Sequence, residues 1–576
     1  MSIHRHRPID TSAVMPSPLL KWIYRYVQPA IEKAIGFPAL WDLYDAGAGK
    51  STTGFATAIL DRLNIPWEIA DEDLQKLRAI EGPVVVHCNH PFGGIDAMAL
   101  ILTLDAMRPG QWKMLANHAV ASIPELKAHM IAVDPLASGG AQRASSKGLI
   151  TSLRHLKKGG VLGLFAAGRV SIQEKNTHAI RDLPWTDHGL RLAETTKATI
   201  VTLHISGANS ARFLKIPPKW SHLRALMLCR EMTRPSVDTI KIRIAEIILP
   251  GTKTTPEKLH AHCFLREDLD VKRPVAELVK VPSRRGSISL PESSAAFDSL
   301  TKTHNLFETT GLDVLLFKGS EVPDAVMIEI GRCREITFRA AGQGVGSDID
   351  LTAEDPYYYH LVLWDRQARR LMGAYRMGKI HEILDSRGPS ALYLDHIFEI
   401  EPEFYDKLGQ SFELSRSFIL PEFQKDSRAL AALWKGLGLA AVKHKARSYF
   451  GSVTISNAHH PVSRAILVEY LRQNHADTEK LRAFIKARNP FAPLTKHHKI
   501  VADSYKGEPI SALSPLIERI ENGERGIPPL MRYYCSLGAK FLAYHVEPSF
   551  QDALYSLLRV DLDAMSPRYR KRFMGI

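Results

Sequence analysis

The chain is predicted to be an α/β protein of two domains, on three observations. Between residues 81 and 250, short strand-like runs alternate with helical patterns, the order expected of a sheet with helices packed on it. Residues 281–299 then turn serine- and proline-rich (Pro282-Ser283-Arg284-Arg285-Gly286-Ser287), as a linker does. After about Leu300 the alternation restarts as a second unit of ordinary domain size, and 576 residues suffice for both.

Taken in order, residues 1–43 hold an amphipathic segment. Leu19, Leu20, Trp22, Ile23, Tyr26 and Val27 supply its apolar side and Lys21 and Arg25 its charge, a pattern able to lie among lipid headgroups or simply to cap the first domain. The first domain, 44–280, has strand-like runs at 83–86, 130–133, 160–165, 199–205 and 239–244. Helical stretches lie between them, at 97–107 and 148–158 for example. In the second domain, 300–576, a helix is expected over 325–338, followed by an acidic, glycine-rich loop at 342–356. Strands follow at 358–364, 370–375 and 410–419, then a helix over 430–443, a strand at 449–456 and a C-terminal extension.

The bulk numbers narrow the function. Seventy-five Lys and Arg against 61 Asp and Glu leave a net charge of +14, which favours an anionic partner: nucleic acid, anionic lipid or an acidic carrier protein. No RNA-binding aromatic signature, zinc-finger spacing or basic heptad is present, so no nucleic-acid partner is expected. Five scattered cysteines without a CxxC pair read as reduced thiols. No secretory signal is recognisable, and no apolar run reaches the ~18–20 residues a membrane span needs. The expectation is a cytoplasmic protein, peripheral on the inner face of the membrane.

The chemistry concentrates in two places. In Val84-Val85-Val86-His87-Cys88-Asn89-His90-Pro91-Phe92-Gly93-Gly94-Ile95-Asp96, a strand runs into a turn and then a helix. That order can hold the His90 imidazole at the mouth of a sheet with the Asp96 carboxylate orienting it, which makes a general base for a hydroxyl nucleophile. Gly163-Leu164-Phe165-Ala166-Ala167-Gly168-Arg169-Val170-Ser171 and Ile200-Val201-Thr202-Leu203-His204-Ile205-Ser206-Gly207-Ala208-Asn209 each end a strand in small or polar residues, where ligands bind on α/β sheets. Taken singly, His90 is also consistent with a loop histidine bonded to backbone and Asp96 with a helix cap.

These three blocks resemble the lysophospholipid/glycerolipid acyltransferase superfamily over 44–250, in its hemolysin-labelled branch. The resemblance implies that His90 deprotonates a lipid hydroxyl, that Asp96 orients its ring, and that Gly168, Arg169, Ser171 and Asn209 belong to the substrate region. Two departures stand out: five residues separate His90 from Asp96 instead of the usual four, and the family's Phe-Pro-Glu-Gly block reads Phe165-Ala166-Ala167-Gly168. Both weaken a glycerol-3-phosphate acceptor.

In the second domain, Arg334 and Phe338 share a helix face, Asp348 and Asp350 lie in the acidic loop, Arg376 ends a strand, and Glu413-Leu414-Ser415-Arg416 ends another. An amine nucleophile is mostly protonated near neutral pH, so N-acylation needs a base, and Glu413 is the candidate. Arg376 and Arg416 suit a carboxylate, and Asp348 and Asp350 a cationic amino acid. This set resembles, over 325–471, the amino-acid N-acyltransferases and acyl-homoserine-lactone synthases of acetyltransferase-like fold. Gln424-Lys425-Asp426-Ser427-Arg428 lacks the glycines with which the acetyl-CoA branch cradles pyrophosphate. That favours acyl carrier protein, with its phosphopantetheine thioester, as donor, and no bound cofactor is expected.

The two halves together resemble the bifunctional ornithine lipid synthases of bacteria. The resemblance implies N-acylation of ornithine with a 3-hydroxyacyl group, then O-acylation of that hydroxyl. Two alternatives are a single O-acyltransferase activity with a non-catalytic second domain, and a membrane-active, hemolysin-like protein. Gly47-Ala48-Gly49-Lys50-Ser51 is not a phosphate loop, because Tyr44 stands where the first glycine belongs. His459-His460 and His497-His498 lack metal-ligand spacing, and no metal is expected.

Overall fold

The computed structural model describes residues 37–133, 140–174, 179–269 and 291–575. Most of the expected amphipathic segment 1–43 and residues 281–290 of the linker lie outside them. The chain divides into two compact units, Met1–Val271 and Lys272–Ile576. Residues 291–299, read from sequence as the end of the linker, instead open the helix Pro291–Thr303.

The first unit is built on seven strands: β1 (Trp67–Ile69), β2 (Val84–Cys88), β3 (Trp112–Ala116), β4 (Met130–Ala132), β5 (Val161–Phe165), β8 (Thr199–Ile205) and β9 (Ile240–Ile248). β6 (Ile172–Gln173) and β7 (Ile180–Arg181) form a small antiparallel pair beside them. The sheet order is β1-β9-β8-β2-β5-β3-β4, and β2 runs parallel to both its neighbours. Only β8 and β9 pair antiparallel within it. Every residue of β2 and of β8 is buried. Alternate residues feed opposite cores: Val84, Val86 and Cys88 pack with the helices Thr52–Leu63 and Ile95–Met107, while Val85 packs with His188–Thr196 and Pro256–Leu269. That two-sided burial explains why these strands read as continuous apolar runs. Ile95–Met107 is apolar all round for the same reason, and nine of its 13 residues are buried.

The second unit carries an eight-stranded sheet. Its members are β10 (Asn305–Thr309), β11 (Leu312–Lys318), β12 (Tyr359–Asp365), β13 (Arg370–Lys379), β15 (Ser411–Ile419), β16 (Ser448–Ile455), β18 (Lys540–Glu547) and β19 (Ala553–Asp561). β14 (Phe398–Ile400) and β17 (Ile485–Ala487) pair separately. The order is β10-β11-β12-β13-β15-β16-β19-β18. All neighbours are antiparallel except β15 and β16, whose parallel ladder runs from Ser411↔Ser448 to Leu414↔Gly451 and stops. β15 continues for five more residues and β16 for four, so a wedge opens between their carboxyl halves. β18 and β19, within the stretch read only as an extension, complete this sheet against β16. No helix among the described residues is long and apolar enough to cross a membrane.

Candidate active sites

In the first unit, parallel pairing puts the ends of β2, β5 and β8 at one edge, and all three expected blocks arrive there. Asn89 locks the end of β2 to that of β8: its amide donates to the Ile205 carbonyl at 2.8 Å and accepts from the Ile205 N–H at 2.7 Å. The chain then turns through Gly93, whose φ of +87° suits glycine, and where a Cβ would meet Val170 and Leu228 at 2.8 Å.

Asp96 enters the first turn of the helix Ile95–Met107, where the helix dipole favours an anion. Its Oδ2 accepts from the Phe92 and Gly93 N–H groups at 2.9 and 3.1 Å and from His90 Nδ1 at 2.8 Å, and its Oδ1 from the Ala97 N–H at 2.9 Å. Burial raises the Asp96 pKa, but the His90 charge and these bonds outweigh it and hold the group below the ordinary carboxylate range. Because an ionised Asp96 only accepts, His90 Nδ1 carries the hydrogen and Nε2 keeps its lone pair. Burial lowers the His90 pKa, but the Asp96 charge and hydrogen bond and the Asp182 charge more than reverse it, so the imidazole titrates above its ordinary value. Its ring stacks on Phe165 at 3.8 Å.

His90 lines a cavity of about 370 Å³ whose other walls are mostly apolar, including Phe55, Ile59, Met98, Met114 and Phe165. A larger cavity of about 750 Å³, bounded by Asp42, Arg62 and Asp238, holds none of the expected site residues.

The remaining first-unit residues divide. Gly168 turns at φ +62° and lines the His90 cavity. Arg169 is exposed. Ser171 and Asn209, expected to touch substrate, are buried supports instead. Ser171 donates to Asp182 Oδ1 at 2.6 Å and its N–H to the His90 carbonyl at 2.9 Å. Asn209 donates to the Phe92 carbonyl at 3.1 Å. Sequence reasoning missed Asp182, which also accepts from the His90 N–H at 3.2 Å and Trp185 Nε1 at 3.0 Å. Burial pushes its pKa up to about 6 against those hydrogen bonds. Only its place after β7 brings it beside the β2 and β5 turns, and no local spacing announces that.

Asp96→Asn tests the pair. A reaction that uses the neutral imidazole as its base should fall in rate as pH drops through the raised His90 value. Without the Asp96 charge that value falls, so the acid limb should move to lower pH. The plateau should drop on the order of 10²-fold as Nε2 loses its fixed tautomer, read from a pH–rate profile. An unshifted limb would remove Asp96 from the site.

In the second unit, Glu413 and Arg416 lie inside β15, not at its end, and β13 continues past Arg376 to Lys379. Strand alternation would put residues three apart on opposite faces. A bulge intervenes: Ala374 pairs with Phe418 and Arg376 with Ser415, so β15 spends one extra residue there. Arg416 sits in that bulge at φ +50°. Its guanidinium thereby reaches the Tyr393 hydroxyl, at 2.6 Å, on the side where Tyr393 also meets Glu413.

Glu413 is buried. It accepts from the Leu394 N–H at 2.6 Å, the Tyr393 N–H at 3.2 Å and the Tyr358 hydroxyl. Burial raises its pKa above the ordinary value against these donors. Arg376 donates to Ser415 Oγ at 2.9 Å and Thr352 Oγ1 at 2.6 Å, its guanidinium lies 4.9 Å from the Tyr393 ring centre, and its buried Nη2 has no hydrogen-bond partner. Arg376 and Arg416 are thus brought to one place, and Arg376 Nη1 also lies 3.4 Å from Asp355 and 3.6 Å from Glu354.

Other expected residues serve the scaffold. Arg334 is buried and satisfied by Asp355, at 2.9 and 3.0 Å, and by the Asp350 carbonyl at 3.1 Å. Asp350 is buried, with its carboxylate 2.8 Å from Arg416 Nε in an ion pair not aligned as a hydrogen bond. Asp348 is exposed, and Phe338 packs edge-on against Phe550 at 5.3 Å. Tyr358 and Tyr393, which hold Glu413 and Arg416, carry no motif by which sequence could have singled them out.

Parts of the chain are similar to known proteins. The acetyltransferase (GNAT) domain model matches residues 333–435, a span that includes Arg334, Arg376, Glu413 and Arg416. A glycine N(alpha)-acyltransferase of Phocaeicola vulgatus is 33% identical over 229 residues, covering 37% of this chain and 68% of that protein. The chain belongs to that acyltransferase family. A second glycine N(alpha)-acyltransferase, from Bacteroides thetaiotaomicron, is also 33% identical over 229 residues, covering 37% of this chain and just under two thirds (66%) of the relative.

Among solved structures, the 1-acyl-sn-glycerophosphate acyltransferase PlsC of Thermotoga maritima shares 13% identity, covering 44% of this chain and 97% of that chain, at a TM-score of 0.24. The AHL synthase LasI shares 10% identity, covering 46% and 96%, at 0.23. Likenesses that low leave the fold to be read from the sheets themselves. The predicted α/β class is the one observed in both units of the chain.

Proposed function

We propose that this acyltransferase makes a doubly acylated aminolipid in two steps. The second unit transfers a 3-hydroxyacyl group from acyl carrier protein to the α-amine of an amino acid. Glu413 takes up the amine proton, and Arg376 Nη2 with Arg416 meets the carboxylate. The first unit then uses His90, oriented by Asp96, to deprotonate the new hydroxyl and esterify it. The order follows from chemistry, because the second acceptor does not exist before the first step. The observation that carries the reading is the His90–Asp96 pair facing a largely apolar cavity, in a chain that also holds a GNAT domain. Thioester delivery by the carrier is supported by the glycine-poor 424–428 segment and the +14 charge. A reaction on the inner membrane surface suits both lipid products.

The head group we propose is ornithine. A second reading, glycine, is favoured by two observations: the relatives' own activity, and the pairing of Asp350 with Arg416, which leaves that carboxylate less able to hold a second cation. Presenting ornithine, lysine, glutamine and glycine together at equal concentration, with 3-hydroxyacyl carrier protein, separates them. Mass spectrometry of the lipid extract should show one dominant mono- and diacylated series. The absence of any N-acyl amino acid would end the proposal.

A further inference from the structure

We infer that residues 212–223 form the surface on which the first unit seats against an anionic bilayer. The inference deepens the membrane-surface reaction proposed above and rests on it. Between Ser210 and Arg230 the chain carries five Lys and Arg residues and no Asp or Glu. Arg212, Lys215 and Lys219 are exposed, and among the described residues none of the three is seen in an ion pair. Beside them stand two large apolar side chains in solvent, Trp220 at 54% exposure and Leu223 at 41%. Exposed tryptophan next to unpaired cations matches the headgroup layer, where the indole is half solvated and each Lys or Arg adds roughly fivefold to partitioning.

The platform is held firmly. Phe213 is buried under it, with the Arg224 guanidinium 4.3 Å from its ring centre. Arg224 donates to the Ile216 carbonyl at 3.0 Å and to the Ser171 carbonyl at 2.9 Å, tying the segment to the loop beside His90. Glu231 accepts from the Ser210 N–H and hydroxyl at 2.8 and 2.7 Å. Trp220 caps the helix Ser221–Thr233, Leu223 lies in its first turn, and Met232 in its last turn lines the His90 cavity. A bilayer touching Trp220 and Leu223 would therefore meet the helix that walls the site receiving the lipid. The paired apolar and basic character fits a membrane better than an acidic carrier protein, which offers charge without a hydrocarbon layer.

The test is flotation of the full chain with phosphatidylcholine vesicles, with and without about 30% phosphatidylglycerol. Wild type should float with the anionic vesicles. Trp220→Ser/Leu223→Ser and Lys215→Glu/Lys219→Glu should each lower the partition coefficient at least tenfold, while both keep O-acyl transfer to acceptor in detergent micelles. Wild-type indifference to the anionic lipid, or variants that float like wild type, would overturn the surface. So would variants that lose binding to acyl carrier protein and keep their vesicles. His90→Ala should float normally and lose transfer. If wild type floats as expected but transfers no acyl group in micelles, the functional reading falls and the surface stands.

Discussion

Replacing His90 with alanine should stop O-acylation while N-acylation continues, so that the mono-acylated aminolipid accumulates. The effect should be on the order of 10²–10⁴ in rate, the usual contribution of a positioned base. His90 is presented to a mostly apolar cavity, and the groups behind it fix its place: Asp96 holds Nδ1, Asp182 and Ser171 hold the backbone, and Phe165 stacks on the face. Removing the imidazole leaves that scaffold with no base to serve. His90→Gln keeps the bulk and should be as inactive. Thin-layer or mass-spectrometric analysis of the lipid extract reads both products at once, and undiminished diacyl product from either variant would end the assignment.

Glu413→Gln should abolish both products, because the first step feeds the second. An α-ammonium group has a pKa near ~8 and is largely protonated at neutral pH, so a lost base costs on the order of 10²–10⁴ in rate. Glu413 is buried, so the proton reaches it through Tyr358 or water. Its pKa is raised by burial, and a base must act as the carboxylate. N-acylation by the wild type should therefore fall as pH drops through a value above that of an ordinary glutamate. Synthetic mono-acylated lipid, added to the Glu413→Gln protein, should restore O-acylation to the wild-type rate. Failure of that rescue would show that the two units are not separate catalysts.

The two sites differ in how far they were legible in the sequence. The His90 site was largely readable because its parts are local. A β-branched run, a glycine turn and an aspartate at the start of an apolar helix are consecutive, and strand-end rules bring the blocks after β5 and β8 to the same edge. Contacts at the level of single atoms were not readable. Ser171 and Asn209 occupy the expected loops, yet their polar atoms are spent on Asp182 and the Phe92 carbonyl. In the second unit, Glu413 and Arg416 were recognisable as residue types but not as neighbours, since alternation alone separates them. β18 and β19 escaped notice because β19 is buried along most of its length and gives no alternating signal.

What the sequence by itself determined is the division into two α/β units, the turn that presents His90, and the charge excess. These depend on periodicity, turn chemistry and composition, which are properties of neighbouring residues. The tertiary structure alone decided that Asp182 stands behind His90, that a bulge turns Arg416 toward the Tyr393 side of Glu413, and that Asp355 pairs with Arg334 and Asp350 with Arg416. Those outcomes depend on which distant segments share a desolvated space, where a buried charge must find a partner whatever its position in the chain.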